Sequence, residues 1–173
     1  MLKIYLAGAI RDGNLDDVIW RERMIDELGK QADFLNPLGG KEYDPSTKKW
    51  TASGVPPISR FIVKHDFWCV DNSDIIIFNF RALSEKYPNI GTLVEFGRAT
   101  GTGCLIYSII DPAYQGHDNL GMFKLHPFLE ENSAAVFATV DDCIKFLSSH
   151  LEVLSGRDSH MRGVNRKGFL VSS

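Results

Sequence analysis

A chain of 173 residues with 44% hydrophobic content is long enough to bury one sizeable core and short for two ordinary domains. Its formal charge of −3 lacks the basic excess that binding a nucleic-acid backbone requires, so a polymeric nucleic-acid partner is not expected and a small molecule fits better. The three cysteines, Cys69, Cys104 and Cys143, are widely spaced in apolar settings, which favours reduced thiols and a cytoplasmic location over a disulfide framework.

The first apolar stretch, Ile4 to Ala7, reads as a buried strand, with Gly8 after it for a sharp exit. It is too short for a membrane span, polar residues follow at once, and no membrane partner is expected. From Leu15 a helix is predicted on Val18, Ile19, Ile25 and Leu28, with Asp12 or Asn14 as N-cap and Gly29 as its stop. Phe34 to Pro37 makes a short second strand. Leu38 to Pro57, rich in Gly, Lys, Ser, Thr and Pro, reads as a long loop and a candidate lid.

Ile58 to Val70 carries a further helical pattern on Ile58, Phe61, Ile62, Phe67 and Val70, and it leads into the strand Asp74 to Phe78. Continuous apolar runs of that kind belong to parallel sheets covered by helices on both faces. A loop from Arg81 to Ile90, a helix from Gly91 and Thr92 to about Thr100, and a strand from Cys104 to Ile109 continue the alternation. Ala135 to Phe137 is a fifth short strand, and Thr139 with Asp142 opens a last helix through Leu147 in a capping-box arrangement. The expectation is a flavodoxin-like or Rossmann-like α/β fold, an open parallel sheet of four or five strands flanked by helices. One domain over residues 1–150 is followed by a tail, 151–173, whose Phe169-Leu170-Val171 ending suits docking on this or a neighbouring subunit.

Sheets of this class bind ligands beyond the carboxyl ends of their strands. That directs attention to Gly8, Ile10 and Arg11 after the first strand, and to the stretch from Asn79 to Glu95 after the third. In Asn89-Ile90-Gly91-Thr92-Leu93-Val94-Glu95 a strand hands over to a helix. Gly91 lets the backbone approach a ligand, Thr92 can cap the helix, and Glu95 then sits in its first turn, where the helix dipole favours a carboxylate. An ionised glutamate in a partly apolar cleft can attack an anomeric carbon and hold it as an ester. The plainer alternative is that Glu95 only compensates the helix terminus at the surface.

Three ordered blocks decide between these readings. Ile4-Tyr5-Leu6-Ala7-Gly8, then Asp66 ahead of Asp74-Ile75-Ile76-Ile77, then Ile90-Gly91-Thr92-x-x-Glu95-x-Gly97-x-Ala99 resemble the nucleoside 2-deoxyribosyltransferase family from the start of the chain to roughly Leu147. The resemblance implies that Glu95 is the nucleophile, that Tyr5 orients its carboxylate, and that Asp66 faces the base and protonates it as it leaves. It also implies a homo-oligomer, a dimer or larger. One position departs: nucleoside-using members have an aspartate where Asn89 stands, six positions before Glu95. Members that hydrolyse deoxynucleoside monophosphates carry a neutral serine there, and their Ser-Ile-Arg-Gly-Gly turn resembles Ala9-Ile10-Arg11-Asp12-Gly13, so Arg11 is a candidate phosphate contact.

Trp20-Arg21, Asn36-Pro37-Leu38-Gly39-Gly40-Lys41 and His126-Pro127-Phe128 are similar to a bacterial and phage-like branch in which the histidine-proline turn lies near the site. His126 is a candidate on that ground, as is Asn119 for a substrate hydroxyl in a neighbouring subunit. No metal-ligand spacing or dinucleotide fingerprint is present, so no cofactor is implied. The leading expectation is transfer between a 2′-deoxynucleoside and a free nucleobase. Hydrolysis of nucleoside 5′-monophosphates is the alternative, and a nucleotide-binding sensor without turnover is the rival of another class.

Overall fold

The computed structural model describes residues 1–11, 14–39, 41–44, 46–47, 49–52, 59–81, 89–110 and 127–154. In chain order the elements are β1 (Leu2–Gly8), α1 (Asp16–Leu28), β2 (Ala32–Leu35), β3 (Lys41–Asp44), β4 (Lys49–Ala52), α2 (Ser59–Asp71), β5 (Ile75–Asn79), α3 (Ile90–Ala99), β6 (Leu105–Ile109), α4 (Pro127–Asn132), β7 (Ala135–Phe137) and α5 (Val140–Leu154). Five strands form one sheet in the order β2-β1-β5-β6-β7, and every pair is parallel. This is the expected flavodoxin-like arrangement, and its strand order reverses between β1 and β5.

The two-residue period of a strand divides the core into two layers. Ile4 and Leu6 of β1 with Ile75 and Ile77 of β5 point to one face, where they meet Trp20, Met24 and Leu28 of α1 and Cys143, Ile144 and Leu147 of α5. Tyr5 and Ala7 with Ile76 and Phe78 point to the other, against Cys69 and Val70 of α2 and Phe96 and Ala99 of α3. Phe78, Phe80 and Phe96 form a compact trio with ring centroids 5.1 to 5.8 Å apart. Such pairs contribute about 0.5–1.5 kcal/mol each beyond their buried area. On the same side, Arg98 of α3 donates through Nε and Nη2 to Asp71 of α2, at 2.7 and 2.5 Å, and so ties the two helices together.

Several expectations are corrected. The stretch from Leu38 to Pro57 holds a hairpin: β3 and β4 pair antiparallel with Tyr43 opposite Trp50. Its turn is organised by Asp44, whose carboxylate accepts from the Ser46 amide and hydroxyl and from Thr47 Oγ1. The Ser46 hydroxyl first, then Thr47, hold the Asp44 carboxyl down at about 2. In α1 the buried stripe is Asp17, Trp20, Arg21, Met24 and Leu28 rather than a face centred on Val18 and Ile19, and Ile19 is exposed. A charged pair inside a helical stripe defeats a reading based on apolar spacing alone. The helix N-cap is Leu15, while Asn14 Oδ1 accepts the Asp16 amide; Asp12 lies outside the described residues. Gly29 is the C-cap that ends α1, as expected, though with right-handed helical angles rather than a left-handed turn.

At the other end of the chain the capping box is present: Thr139 Oγ1 accepts the Asp142 amide and donates to Asp142 Oδ2. Helix α5 runs beyond Leu147 to Leu154, with Leu151 buried. Helix α4 was not anticipated. Residues 155–173 lie outside the described residues. No helix among the described residues is long and apolar enough to cross a membrane.

Burial leaves a signature in alkaline solution. It raises the Cys69 thiol to about 11, with help from Asp66 and Glu95, and the Cys143 thiol to about 12, from an ordinary value of 9.0. Above pH 9 the unfolded chain therefore releases protons that the folded chain keeps, and stability falls as pH rises. Burial of the Arg21 guanidinium lowers its value to about 10, which acts in the opposite sense only above that pH. The denaturation midpoint in reducing buffer is expected to fall steadily between pH 9 and 10. A flat midpoint over that interval contradicts the burial of these thiols.

Candidate active site

Tyr5 is the second of four consecutive fully buried residues of β1 and points into the α2/α3 layer. Its hydroxyl donates to Glu95 Oε1 at 2.9 Å in a buried hydrogen bond between residues 90 positions apart in sequence. Burial first, then the charges of Glu95 and Asp66, hold the phenol far above its usual range, so it remains a neutral donor at any physiological pH. Glu95 is only 8% exposed. The carboxylate is therefore neither a solvated surface charge nor a simple helix-end compensator.

The reason for its position differs from the one expected. Helix α3 starts at Ile90, with Asn89 as N-cap and no acidic residue in the first turn. Glu95 is thus one turn further in, beyond the unpaired backbone donors of the helix end. What fixes it is Tyr5 across the sheet face. Thr92, one turn earlier, is buried at 4% and makes no cap. A Cβ at Gly91 would meet nothing within 4 Å among the described residues and its φ is ordinary, so their packing does not require glycine there.

Asp66 lies on α2, with 16% of its side chain exposed, and its Oδ1 is 3.2 Å from Nδ1 of His65. Asp66 shares a sheet face with Glu95, because α2 and α3 pack against the same layer. Asn89, at the N-terminus of α3, has a buried Nδ2 with no hydrogen-bond partner among the described residues. An unpaired buried donor is costly unless something outside the protein accepts from it.

The remaining candidates gather at the end of β1 and on the opposite face. Gly8 pairs with Asn79 in the register of β1 and β5. A Cβ on Gly8 would lie 3.3 Å from the Asn79 carbonyl oxygen and from Trp20 and 3.4 Å from Arg21. Its glycine is therefore explained by close approach rather than by the sharp exit that the sequence suggested. Ile10 is half-buried just beyond. Asn79 is 8% exposed, its Oδ1 accepting the Arg81 amide, and it lines a cavity of about 540 Å³ with Ala9, Trp20 and Thr139. By strand parity this cavity opens on the α1/α5 side, whereas Tyr5 and Glu95 belong to the α2/α3 side. The predicted residues thus form two groups meeting at the end of β1.

Arg11 is not a solvated loop cation. Its Nε and Nη2 donate to the two carboxylate oxygens of Asp17 at 2.9 and 2.8 Å, and its own amide donates to Asp17 Oδ2 at 2.9 Å. Asn119 and His126 lie outside the described residues.

Arg21 was legible in sequence only as half of a Trp-Arg pair. Its side chain is fully buried, stacks at 4.6 Å on Trp20, and donates to the carbonyl oxygens of Leu6, Gly8, Ala9 and Asp17. It thereby gathers the carbonyls at the end of β1 and sets the path of the loop that carries Arg11. Its partners are all main-chain carbonyls, which no side-chain spacing rule announces.

No family model and no curated protein matches the chain. Solved structures do. A 2-deoxyribosyltransferase from Leishmania mexicana superposes with a TM-score of 0.62 at 18% identity, covering 87% of this chain and 99% of that one. A 2-deoxyribosyltransferase from Bacillus psychrosaccharolyticus gives 0.58 at 19% identity, over 86% and 95%. A CMP N-glycosidase from Clostridium botulinum gives 0.50 at 16% identity, over 86% and 98%. At these identities the likeness establishes a shared fold over nearly the whole length of each of these chains.

Proposed function

We propose that this chain is an enzyme of the nucleoside 2-deoxyribosyltransferase family that cleaves the N-glycosidic bond of 2′-deoxynucleosides and transfers the sugar to a second nucleobase. The observation that carries the proposal is the buried hydrogen bond from Tyr5 to Glu95. The sequence motif assigned these two residues their roles without any knowledge of their proximity, and the fold brings them together across 90 positions of sequence. A shared fold with two 2-deoxyribosyltransferases and a CMP N-glycosidase supports the same chemistry.

In the proposed reaction a Glu95 carboxylate oxygen forms a bond to C1′ as the C1′–N bond breaks. The electron pair of that bond leaves with the base, which takes a proton from Asp66. A second base, giving its N–H proton to the Asp66 carboxylate, then attacks C1′ from the face opposite Glu95; the ester C1′–O bond breaks with its electron pair returning to the Glu95 carboxylate, and the configuration at C1′ is retained. The neutral Tyr5 hydroxyl holds one carboxylate oxygen in a fixed direction throughout. The Nδ2 of Asn89, without a partner among the described residues, supplies a donor for a sugar oxygen. Assembly into a dimer or larger is part of this reading, supported by Trp68 of α2 and Ile90 and Val94 of α3, which are large, apolar and at least half exposed.

Incubation of each 2′-deoxynucleoside with a different free base is the decisive test of the transfer. The expected outcome is a new deoxynucleoside, formed with the β configuration kept. Release of free base and sugar in equal amounts, with no exchange product at high acceptor concentration, would replace the transferase by a hydrolase.

A further inference from the structure

We propose that Asp17 is a specificity-determining residue that turns a 5′-phosphate away, so that the substrates are uncharged 2′-deoxynucleosides rather than their 5′-monophosphates. This inference rests on the glycosidic reading above and narrows its substrate class. Arg11 is the cation that the loop after β1 offers to a ligand, and a guanidinium recognises phosphate through the same planar fork with which it binds a carboxylate. That fork is already taken. Asp17 engages Nε and Nη2 together at 2.9 and 2.8 Å and also accepts the Arg11 amide. The Asp17 side chain is 6% exposed, so drawing Arg11 toward a phosphate would strand a carboxylate away from water, a change far more costly than loss of a surface pair.

The charge around the neighbouring cavity points the same way. Its walls carry Arg11, Arg23 and Arg81 against Asp16, Asp17 and Asp141. Arg23 is itself paired with Asp141 at 2.5 Å. Helix N-termini ordinarily attract anions, and both α1 and α5 begin beside this cavity. Each of them already has two acidic residues in its first turn, Asp16 and Asp17 in α1 and Asp141 and Asp142 in α5. A phosphate dianion placed there meets carboxylates where a phosphate site presents free amides and unshared cations. A neutral 5′-hydroxyl meets acceptors it can donate to. Asn89 is indifferent to the choice, because a neutral amide donor serves a hydroxyl and a phosphate alike.

The experiment compares kcat/KM for base release from the four 2′-deoxynucleosides and from their 5′-monophosphates, in wild type, D17N and D17S. Wild type is expected to favour each nucleoside over its monophosphate by at least about tenfold, since like-charge juxtaposition costs several kcal/mol. Asp17→Asn keeps an acceptor for the Arg11 amide and releases the guanidinium. It is expected to raise kcat/KM for monophosphates and shrink the preference by about tenfold. Asp17→Ser, the second variant should D17N not fold, frees the same guanidinium and is expected to shrink the preference in the same direction. Wild-type preference for monophosphates, or an unchanged ratio in folded D17N or D17S, would each overturn the inference. Failure of wild type to release base from any of the eight compounds is a distinct result, and it removes the glycosidic reading and this inference together.

Discussion

Glu95→Gln is expected to lower base release from a 2′-deoxynucleoside by on the order of 10⁴-fold or more, because a neutral amide cannot form the ester on which the two-step reaction depends. Glutamine keeps an oxygen that accepts from the Tyr5 hydroxyl, so the buried bond of 2.9 Å has a partner in the variant. Alanine would instead leave that hydroxyl unsatisfied inside the α2/α3 layer and would mix a stability loss into the result. The change is therefore expected in kcat, with melting temperature close to wild type and deoxynucleoside binding retained. If Glu95→Gln keeps more than about a tenth of the wild-type rate, the carboxylate is not the nucleophile. A sensor without turnover predicts that binding survives this substitution and that wild type itself releases no base.

Tyr5→Phe removes one oxygen atom and the donor to Glu95. A hydrogen bond to a charged group contributes about 1.5–3 kcal/mol, so a loss of roughly 10- to 100-fold in kcat is expected if the bond keeps the carboxylate directed at C1′. The phenylalanine ring fills the same volume among Ala7, Cys69 and Ile76, so a folded variant is expected. The readout that separates positioning from packing is the division between kcat and KM. Loss confined to kcat indicates a misdirected nucleophile, whereas an equal loss of thermal stability and activity would indicate that Tyr5 serves the core alone. Because burial and two nearby carboxylates keep the phenol neutral, ionisation of Tyr5 is not expected to add an alkaline limb to the kcat profile below pH 10.

The two layers of the fold were legible because the strands carry them openly. The uninterrupted run Ile75 to Phe78 announces a strand covered on both faces, and Ile4, Tyr5, Leu6 and Ala7 divide alternately between the two cores. What was not legible depends on polar pairings across sequence. The β3–β4 hairpin relies on the side chain of Asp44 to build its turn, in a stretch whose composition reads as loop. The inward face of α1 escaped notice because two of its buried positions are Asp17 and Arg21, and their cost of burial is offset by partners that only the fold supplies.

The site was legible unevenly in the same way. Tyr5 and Glu95 were named from an ordered motif, yet the physical reason offered for Glu95, a place in the first helical turn, was wrong by one turn. The stabilising element is a tyrosine on the far side of the motif, and no local rule links residues so far apart. The partner that occupies Arg11 lies six residues on, inside the following helix, where a reading of the loop alone does not find it. Gly8 was assigned to a turn, whereas it makes room for Trp20 and the Arg21 guanidinium beside the last carbonyls of β1.

The central claim is a covalent bond between Glu95 and the deoxyribose C1′. Its most direct test is rapid acid quench of wild-type protein turning over a 2′-deoxynucleoside without acceptor base, followed by mass spectrometry of the intact chain and of its peptides. The account predicts a fraction of protein heavier by one deoxyribosyl group, with the added mass on the peptide containing Glu95 and absent from Glu95→Gln. Base release at the wild-type rate with no adduct at any quench time, or with the adduct on another residue, would contradict it.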